Sequence, residues 1–168
     1  MEEKIKSYTL VKQIGTGGFG EVYVARQPIV NRDVAIKVIL PLYANREDFI
    51  KRFQFEAELI AKLEHPHIVP LFDFWRDPSG AYLVMRYIKG VNLADHLQKK
   101  GSLSIEQAGR LLDQIAGALH TAHRNRVIHQ DIKPANILLD EDGNAYLTDF
   151  GIARDIDSAI ALGCLELD

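Results

Sequence analysis

The run His129-Gln130-Asp131-Ile132-Lys133-Pro134-Ala135-Asn136, followed after a short gap by Asp149-Phe150-Gly151, constrains this chain more than any other feature. It sets two carboxylates, an amide and a lysine at a spacing that suits metal-dependent phosphoryl transfer. A hydroxyl nucleophile needs a nearby carboxylate to orient it and take its proton, and Asp131 is the candidate. Magnesium takes hard oxygen ligands at octahedral positions, which Asn136 and Asp149 can supply beside phosphate oxygens. Lys133 can neutralise charge on the phosphoryl group in flight. The bland alternative is a solvated loop followed by an ordinary Asp–Gly turn. A second signature, of spaced glycines and a lysine, lies upstream, and the two together argue against that alternative.

That signature is Ile14-Gly15-Thr16-Gly17-Gly18-Phe19-Gly20-Glu21-Val22, with Val34-Ala35-Ile36-Lys37 beyond it. Spaced glycines alone are weak, because dinucleotide-binding folds use them to join a strand to a helix. Here Val22-Tyr23-Val24-Ala25 follows, which is strand-forming, so the glycines make a hairpin. Such a hairpin can lie over phosphates, with backbone N–H groups approaching where a side chain would clash. The strand at 33–40 alternates: Val34, Ile36, Val38 and Leu40 share one face, and Ala35, Lys37 and Ile39 the other.

Residues 45–64 read as a helix, with Asn45 as N-cap and Glu47 and Asp48 favoured in its first turn. Phe49, Phe53, Ile60 and Leu63 define an apolar stripe with Glu56 in its middle, while Glu58 points away. A carboxylate on a packed face needs a cation or donors, and Lys37 is the obvious partner. Residues 8–15, 20–26 and 33–40 read as antiparallel strands, and 71–76 and 81–86 as a hairpin across Asp77-Pro78-Ser79-Gly80. A short helix spans 92–99 and ends at Gly101. A longer helix starts at Ser104 with a capping box to Gln107 and runs to about His123. Its stripe of Ile105, Ala108, Leu111, Leu112, Ile115, Ala116 and Leu119 needs a cover. Residues 137–139 and 145–147 flank the turn Asp140-Glu141-Asp142-Gly143-Asn144.

In this order the motifs resemble the catalytic region of eukaryotic-type (Hanks-type) serine/threonine protein kinases, whose loops read H-R-D-x-K-x-x-N and D-F-G. Glu64-His65-Pro66-His67-Ile68-Val69 has the flavour of bacterial members. The resemblance implies an α+β, protein-kinase-like fold. A five-stranded antiparallel N-lobe sheet with the αC helix is followed by the first, incomplete part of a mainly helical C-lobe. Its boundaries would be an N-lobe over 1–85, a hinge over 86–90, a partial C-lobe over 91–154, and a truncated activation segment or divergent tail over 155–168.

The implied cofactors are ATP and Mg2+. Ile14, Gly15, Thr16, Gly17, Gly18, Phe19 and Gly20 would cover the nucleotide, and Val22 and Ala35 would sandwich adenine with Leu138 below. Met85 would guard the back pocket, Tyr87 would lie in the hinge, and Lys37, paired with Glu56, would hold the α- and β-phosphates. Asp131 would be the base, Lys133 a phosphate contact, and Asn136 and Asp149 the metal ligands. His129 would pack with Ile60, Leu71 and Phe150 in a buried spine. Lys133, two places after Asp131, resembles the serine/threonine-specific pattern, so the substrate would be a protein Ser or Thr hydroxyl. Aminoglycoside phosphotransferases share H-x-D-x-x-x-x-N but lack D-x-K-P and Asp-Phe-Gly.

Two departures qualify the resemblance. Gln130 stands where regulated kinases place an arginine that grips a phosphorylated loop residue, and a neutral amide pairs weakly with phosphate. Switching by loop phosphorylation is therefore not expected, and Ser158 is the sole hydroxyl residue after Arg154. The similarity also fades beyond Asp155. A kinase segment ending there leaves the long helix's stripe open, a kind of patch that drives association. Marginal stability, a completing polypeptide or self-association through that face is the expectation, and a nucleotide-binding module without turnover is the alternative function.

The net charge of −3 gives no reason to expect nucleic acid or an acidic membrane as partner. The single cysteine, Cys164, excludes an internal disulfide framework. The start Met1-Glu2-Glu3-Lys4 lacks the apolar core of a signal peptide, and no apolar run is long enough to span a bilayer. A cytoplasmic location is expected. His120 and His123, at i and i+3 on a helix, lack an evident third ligand and read as surface or packing residues.

Overall fold

A computed structural model describes residues 3–151. The expectations for the segment 155–168, including Ser158 and Cys164, lie outside these residues. The described chain forms two compact units. One comprises the residues up to Ala61 together with Leu71–Tyr87, and the other Lys62–Pro70 with the residues from Ile88 onward.

The first unit is built on an antiparallel sheet of β1 (Lys4–Ile5), β2 (Tyr8–Gly17), β3 (Gly20–Gln27), β4 (Arg32–Ile39), β5 (Leu71–Asp77) and β6 (Gly80–Arg86). Its spatial order is β1-β2-β3-β4-β6-β5. Five of these strands match the sequence reading. The sixth, β1, is two residues long and too short to show any alternation. Tyr8, Ala25, Val34, Ile36 and Val84 form a buried cluster on one face. Ala35 and Ile39, from the alternate positions of β4, are buried as well. Buried residues thus lie on both faces of this central strand.

Leu40, expected to continue β4, leaves the sheet. It caps a one-turn helix, α1 (Pro41–Ala44), and the Leu40 carbonyl accepts from Tyr43 and Ala44 N–H. Pro41 suits the first helical position because its missing N–H is not needed there. The next helix, α2 (Glu47–Ala61), is shorter at both ends than the expected 45–64. Asn45 is not its N-cap. The Asn45 side chain instead ties α1 to the β5–β6 turn, donating to the Pro78 carbonyl at 3.0 Å and accepting from Arg76 at 3.1 Å. Arg46 takes over the start of α2, its carbonyl receiving the Ile50 N–H. Its guanidinium, bonded to Asp48, holds that carboxyl below its ordinary range.

The buried face of α2 is Phe49, Phe53 and Ala57. Leu63, assigned to that stripe from the sequence, is buried beyond the helix and belongs to the second unit. Phe53 stacks on Phe49 at 5.2 Å and meets Phe74 of β5 edge-on at 6.0 Å.

In the second unit, α3 (Leu93–Lys100) begins at Asn92, whose side chain accepts the Asp95 N–H at 2.8 Å. It ends at Gly101, which has a φ of 80° that a glycine adopts without strain. The long helix α4 (Ile105–Arg124) carries the capping box read from Ser104 and Gln107. Its expected stripe is only partly used. Ile115, Ala118 and Ala122 are buried, whereas Ile105 is 93% and Leu112 66% exposed. The packed face is rotated toward small alanines, which allow close approach to a three-stranded sheet. That sheet is β7 (Gly90–Asn92), β8 (Ile137–Asp140) and β9 (Ala145–Leu147), in that order. Gln114 on α4 accepts the Ala145 N–H at 2.8 Å, which fixes the helix to β9. No helix of the described residues is long and apolar enough to cross a membrane.

Replacing Phe53 by Ala removes the ring that joins α2 to β5 and leaves a cavity. The expected loss is about 3–5 kcal/mol of unfolding free energy, read from the urea midpoint at constant m-value. A loss below about 1 kcal/mol would contradict this packing.

Candidate active site

The candidate residues fall into two constellations, one in each unit. In the first, the strand register decides which side chains share a face. Val22 lies opposite Lys37, Val24 opposite Ala35, and Ala35 opposite Met85. Gly15 lies opposite Val22 on the neighbouring strand. Cross-strand partners project from the same side of a sheet. Val22, Ala35, Lys37 and Met85 therefore form one patch, with small Ala35 next to the longer chains. Lys37 and Glu56, the latter on α2, are each half-buried in this unit.

The glycines of the hairpin have unequal reasons for being glycine. A Cβ on Gly20 would lie 1.8 Å from the Val38 carbonyl oxygen, so the sheet itself demands that residue. Among the described residues, Gly17 and Gly18 have no atom within 4 Å of the same position, and Gly15 meets only Val22 at 3.6 Å. The fold does not need glycine at these three places. A ligand approaching the backbone would, and this open cradle fits a triphosphate bound through N–H groups.

The second constellation is centred on His129, which is 1% exposed. Its Nδ1 accepts the Asp131 N–H at 3.2 Å, so the ring proton sits on Nε2 and is donated to the Thr148 carbonyl at 2.8 Å. The ring packs on Phe150 at 4.5 Å, and the His129 carbonyl accepts the Gly151 N–H at 3.1 Å. Burial pushes the imidazole down from its ordinary value, outweighing the nearby carboxylates. His129 therefore bridges the Asp131 loop to the Asp149 triplet as a neutral ring.

The bridge restrains strained backbone. Gln130 has a φ of 64° and Asp149 a φ of 58°. Left-handed conformation costs a non-glycine residue roughly 1–2 kcal/mol, and it persists where neighbours over-determine it. Here the neighbours of both residues hydrogen-bond to His129 or across it. Asn136 completes the loop from the turn Pro134–Asn136. It is 5% exposed, and its Nδ2 donates to the Asp131 carbonyl at 2.8 Å and to Asp131 Oδ2 at 2.9 Å. Lys133 Nζ lies 2.8 Å from the same Oδ2.

With its nitrogen committed to Asp131, Asn136 has Oδ1 to offer a cation. Asp149, the other ligand candidate, is half-buried. Among the described residues, no group of three or more His, Cys, Asp or Glu is placed to hold a metal. A donor set this sparse would fit magnesium with phosphate oxygens and water completing its shell.

Sequence reasoning saw His129 as packing only and passed over Thr148. Thr148 is buried, its carbonyl holds His129, and its N–H donates to the Asn136 carbonyl at 3.1 Å. A polar residue extending a buried strand was the available signal. Ile60 and Leu71, the other expected spine members, lie half-buried in the first unit. Leu138 on β8 is half-buried in the second, and Tyr87 ends the first.

Residues 8–163 match the protein kinase domain family, and the chain belongs to that family. It is 41% identical to the serine/threonine-protein kinase PrkC of Bacillus subtilis over 151 residues, which is 90% of this chain and 23% of that one. It is 43% identical to the serine/threonine-protein kinase PknD of Mycobacterium tuberculosis over 147 residues, 88% of this chain and 22% of the relative. Among solved structures, it superposes on the M. tuberculosis PknI kinase domain with a TM-score of 0.80 at 34% identity. That match covers 88% of this chain and 59% of the other. The chain thus spans less than a quarter of these curated relatives and over half of the solved kinase domain.

A buried neutral histidine gives stability a definite pH dependence. The unfolded His129 takes up a proton near its ordinary 6.5, while the folded ring resists it, so stability is complete above that value and falls on acidification. His65, also held down by burial, adds the same sign. The urea midpoint is expected to drop between pH 7.5 and pH 5.5, with a shallower drop in His129→Asn. A midpoint that rises on acidification would contradict the neutral ring.

Proposed function

We propose that this chain is the catalytic region of a serine/threonine protein kinase, transferring the γ-phosphate of ATP to a protein Ser or Thr hydroxyl. The observation that carries the reading is the fixed carboxylate of Asp131, gripped at Oδ2 by both Asn136 and Lys133 inside a loop anchored on His129. Family membership and the names of the bacterial relatives support it.

In this reading the hydroxyl of the acceptor protein donates its hydrogen bond to the Asp131 carboxylate, which orients the oxygen toward the γ-phosphorus. The O–P bond to the acceptor forms as the bond to the ADP oxygen breaks, and the hydroxyl proton passes to Asp131. Lys133, already against Asp131, can follow the transferred phosphoryl oxygens. Magnesium, when bound by Asn136 Oδ1 and Asp149, supplies charge neutralisation at the phosphates. Glu56 on α2 orients Lys37 toward the α- and β-phosphates. On the sheet face, Val22 and Ala35 receive the adenine, Met85 guards the back of that pocket and Tyr87 lies in the hinge. The open positions over Gly17 and Gly18 leave room for the phosphates.

The test is transfer of labelled phosphate from MgATP to a generic basic protein, alongside direct measurement of MgATP binding. Asp131→Asn is expected to keep nucleotide affinity and lose about 10²–10⁴-fold in rate. Lys37→Met should weaken binding, and EDTA should abolish transfer until magnesium is restored. Binding without transfer, indifferent to Asp131→Asn, would instead mark a nucleotide-binding module. No binding at all would refute both readings.

A further inference from the structure

The tip of the glycine hairpin is not loose, although glycines surround it. Phe19 follows two glycines that have no atom near their Cβ positions, yet its own side chain is half-buried. It meets the Tyr43 ring edge-on at 5.1 Å, with 69° between the planes. The Phe19 carbonyl also accepts the Leu40 N–H at 3.0 Å. Both partners, Tyr43 within α1 and Leu40 at its N-cap, lie outside the hairpin.

The helix that presents Tyr43 is itself anchored. Ala44 is fully buried, and Asn45, which ends the helix, is bonded to Pro78 and Arg76 of the β5–β6 hairpin. Gly20 lets the hairpin's returning strand press against the Val38 carbonyl, which sets the tip beside α1. An unbroken series of contacts runs from the β5–β6 turn through Asn45 and Tyr43 to Phe19. Helix α2, with Glu56, starts two residues beyond Asn45.

We propose that Tyr43 is a positioning residue for nucleotide: its ring latches Phe19 and holds the glycine hairpin in the shape that receives phosphates. An aromatic edge contact gains from the match between the positive ring edge and the negative ring face. Phe in place of Tyr keeps that match, and Ala removes it. A held hairpin has less freedom to lose on binding, so nucleotide binds more tightly. The effect on nucleotide rests on the functional reading above; the latch itself does not.

Two measurements on the full chain separate these. Hydrogen exchange without nucleotide reads the latch directly. In Tyr43→Ala the Leu40 and Gly18 to Gly20 amides are expected to exchange roughly 3- to 10-fold faster, with Tyr43→Phe like wild type and β6 amides unchanged. Titration with MgADP reads the consequence. Tyr43→Ala and Phe19→Ala should each raise Kd by roughly the same factor, and the double variant should be no worse than either, because both remove one contact.

Unchanged exchange in Tyr43→Ala would overturn the latch. Faster exchange with unchanged MgADP affinity would overturn its role in binding. Failure of the wild type to bind MgADP would refute the functional reading, while the exchange result still decides the latch.

Discussion

A neutral imidazole sealed from water holds the second constellation together. His129 has two ring nitrogens, and both are committed to backbone groups, one on the Asp131 segment and one on Thr148 beside Asp149. A protonated ring could keep the bond to Thr148 but would turn a second N–H against the Asp131 amide. Burial disfavours that charge. The same burial that makes His129 look like core packing therefore makes it a fixed two-way connector. Its two ring bonds are among those that hold the left-handed backbone at Gln130 and Asp149 in place.

From that connector the loop extends in short hydrogen-bonded steps. Thr148 reaches Asn136 through its amide, and Asn136 returns to Asp131 through its side chain. Lys133 then places a cation on the oxygen that Asn136 already holds. The result is one carboxylate with a restricted orientation, which is what proton acceptance at a defined hydroxyl requires. Gln130, in the place where an arginine would present charge, lies with its Cβ and Oε1 close to Gly151, so the loop is steadied here by packing and backbone bonds.

Much of this was legible in the residues. The meeting of Asp131, Lys133 and Asn136 in one tight loop followed from their spacing, and the glycine hairpin followed from the strand residues after Gly20. Alternation at Val34 to Lys37 gave the correct faces, because the register pairs Val22 with Lys37 and Ala35 with Met85. Long-range pairing defeated local signals elsewhere. Asn45 has the composition of a cap for α2, yet Arg76 and Pro78, more than thirty residues away, claim its side chain. The long helix's stripe was too generous because periodicity marks every apolar residue within an arc. Only packing against β9 selects Ile115, Ala118 and Ala122 and leaves Leu112 exposed. The sequence marks Thr148 only as a polar residue extending a buried strand; its bonds to His129 and Asn136 are made by its backbone, which residue type does not reveal.

The central claim, a neutral His129 connecting the two motif segments, can be tested by nitrogen NMR of the imidazole. Residue-specific assignment would follow from loss of the signal in His129→Asn. The account predicts a protonated Nε2 and an unprotonated Nδ1 at pH 6.5, persisting below the ordinary titration point. A ring already half doubly protonated at pH 6.5, like a solvated histidine, would contradict it.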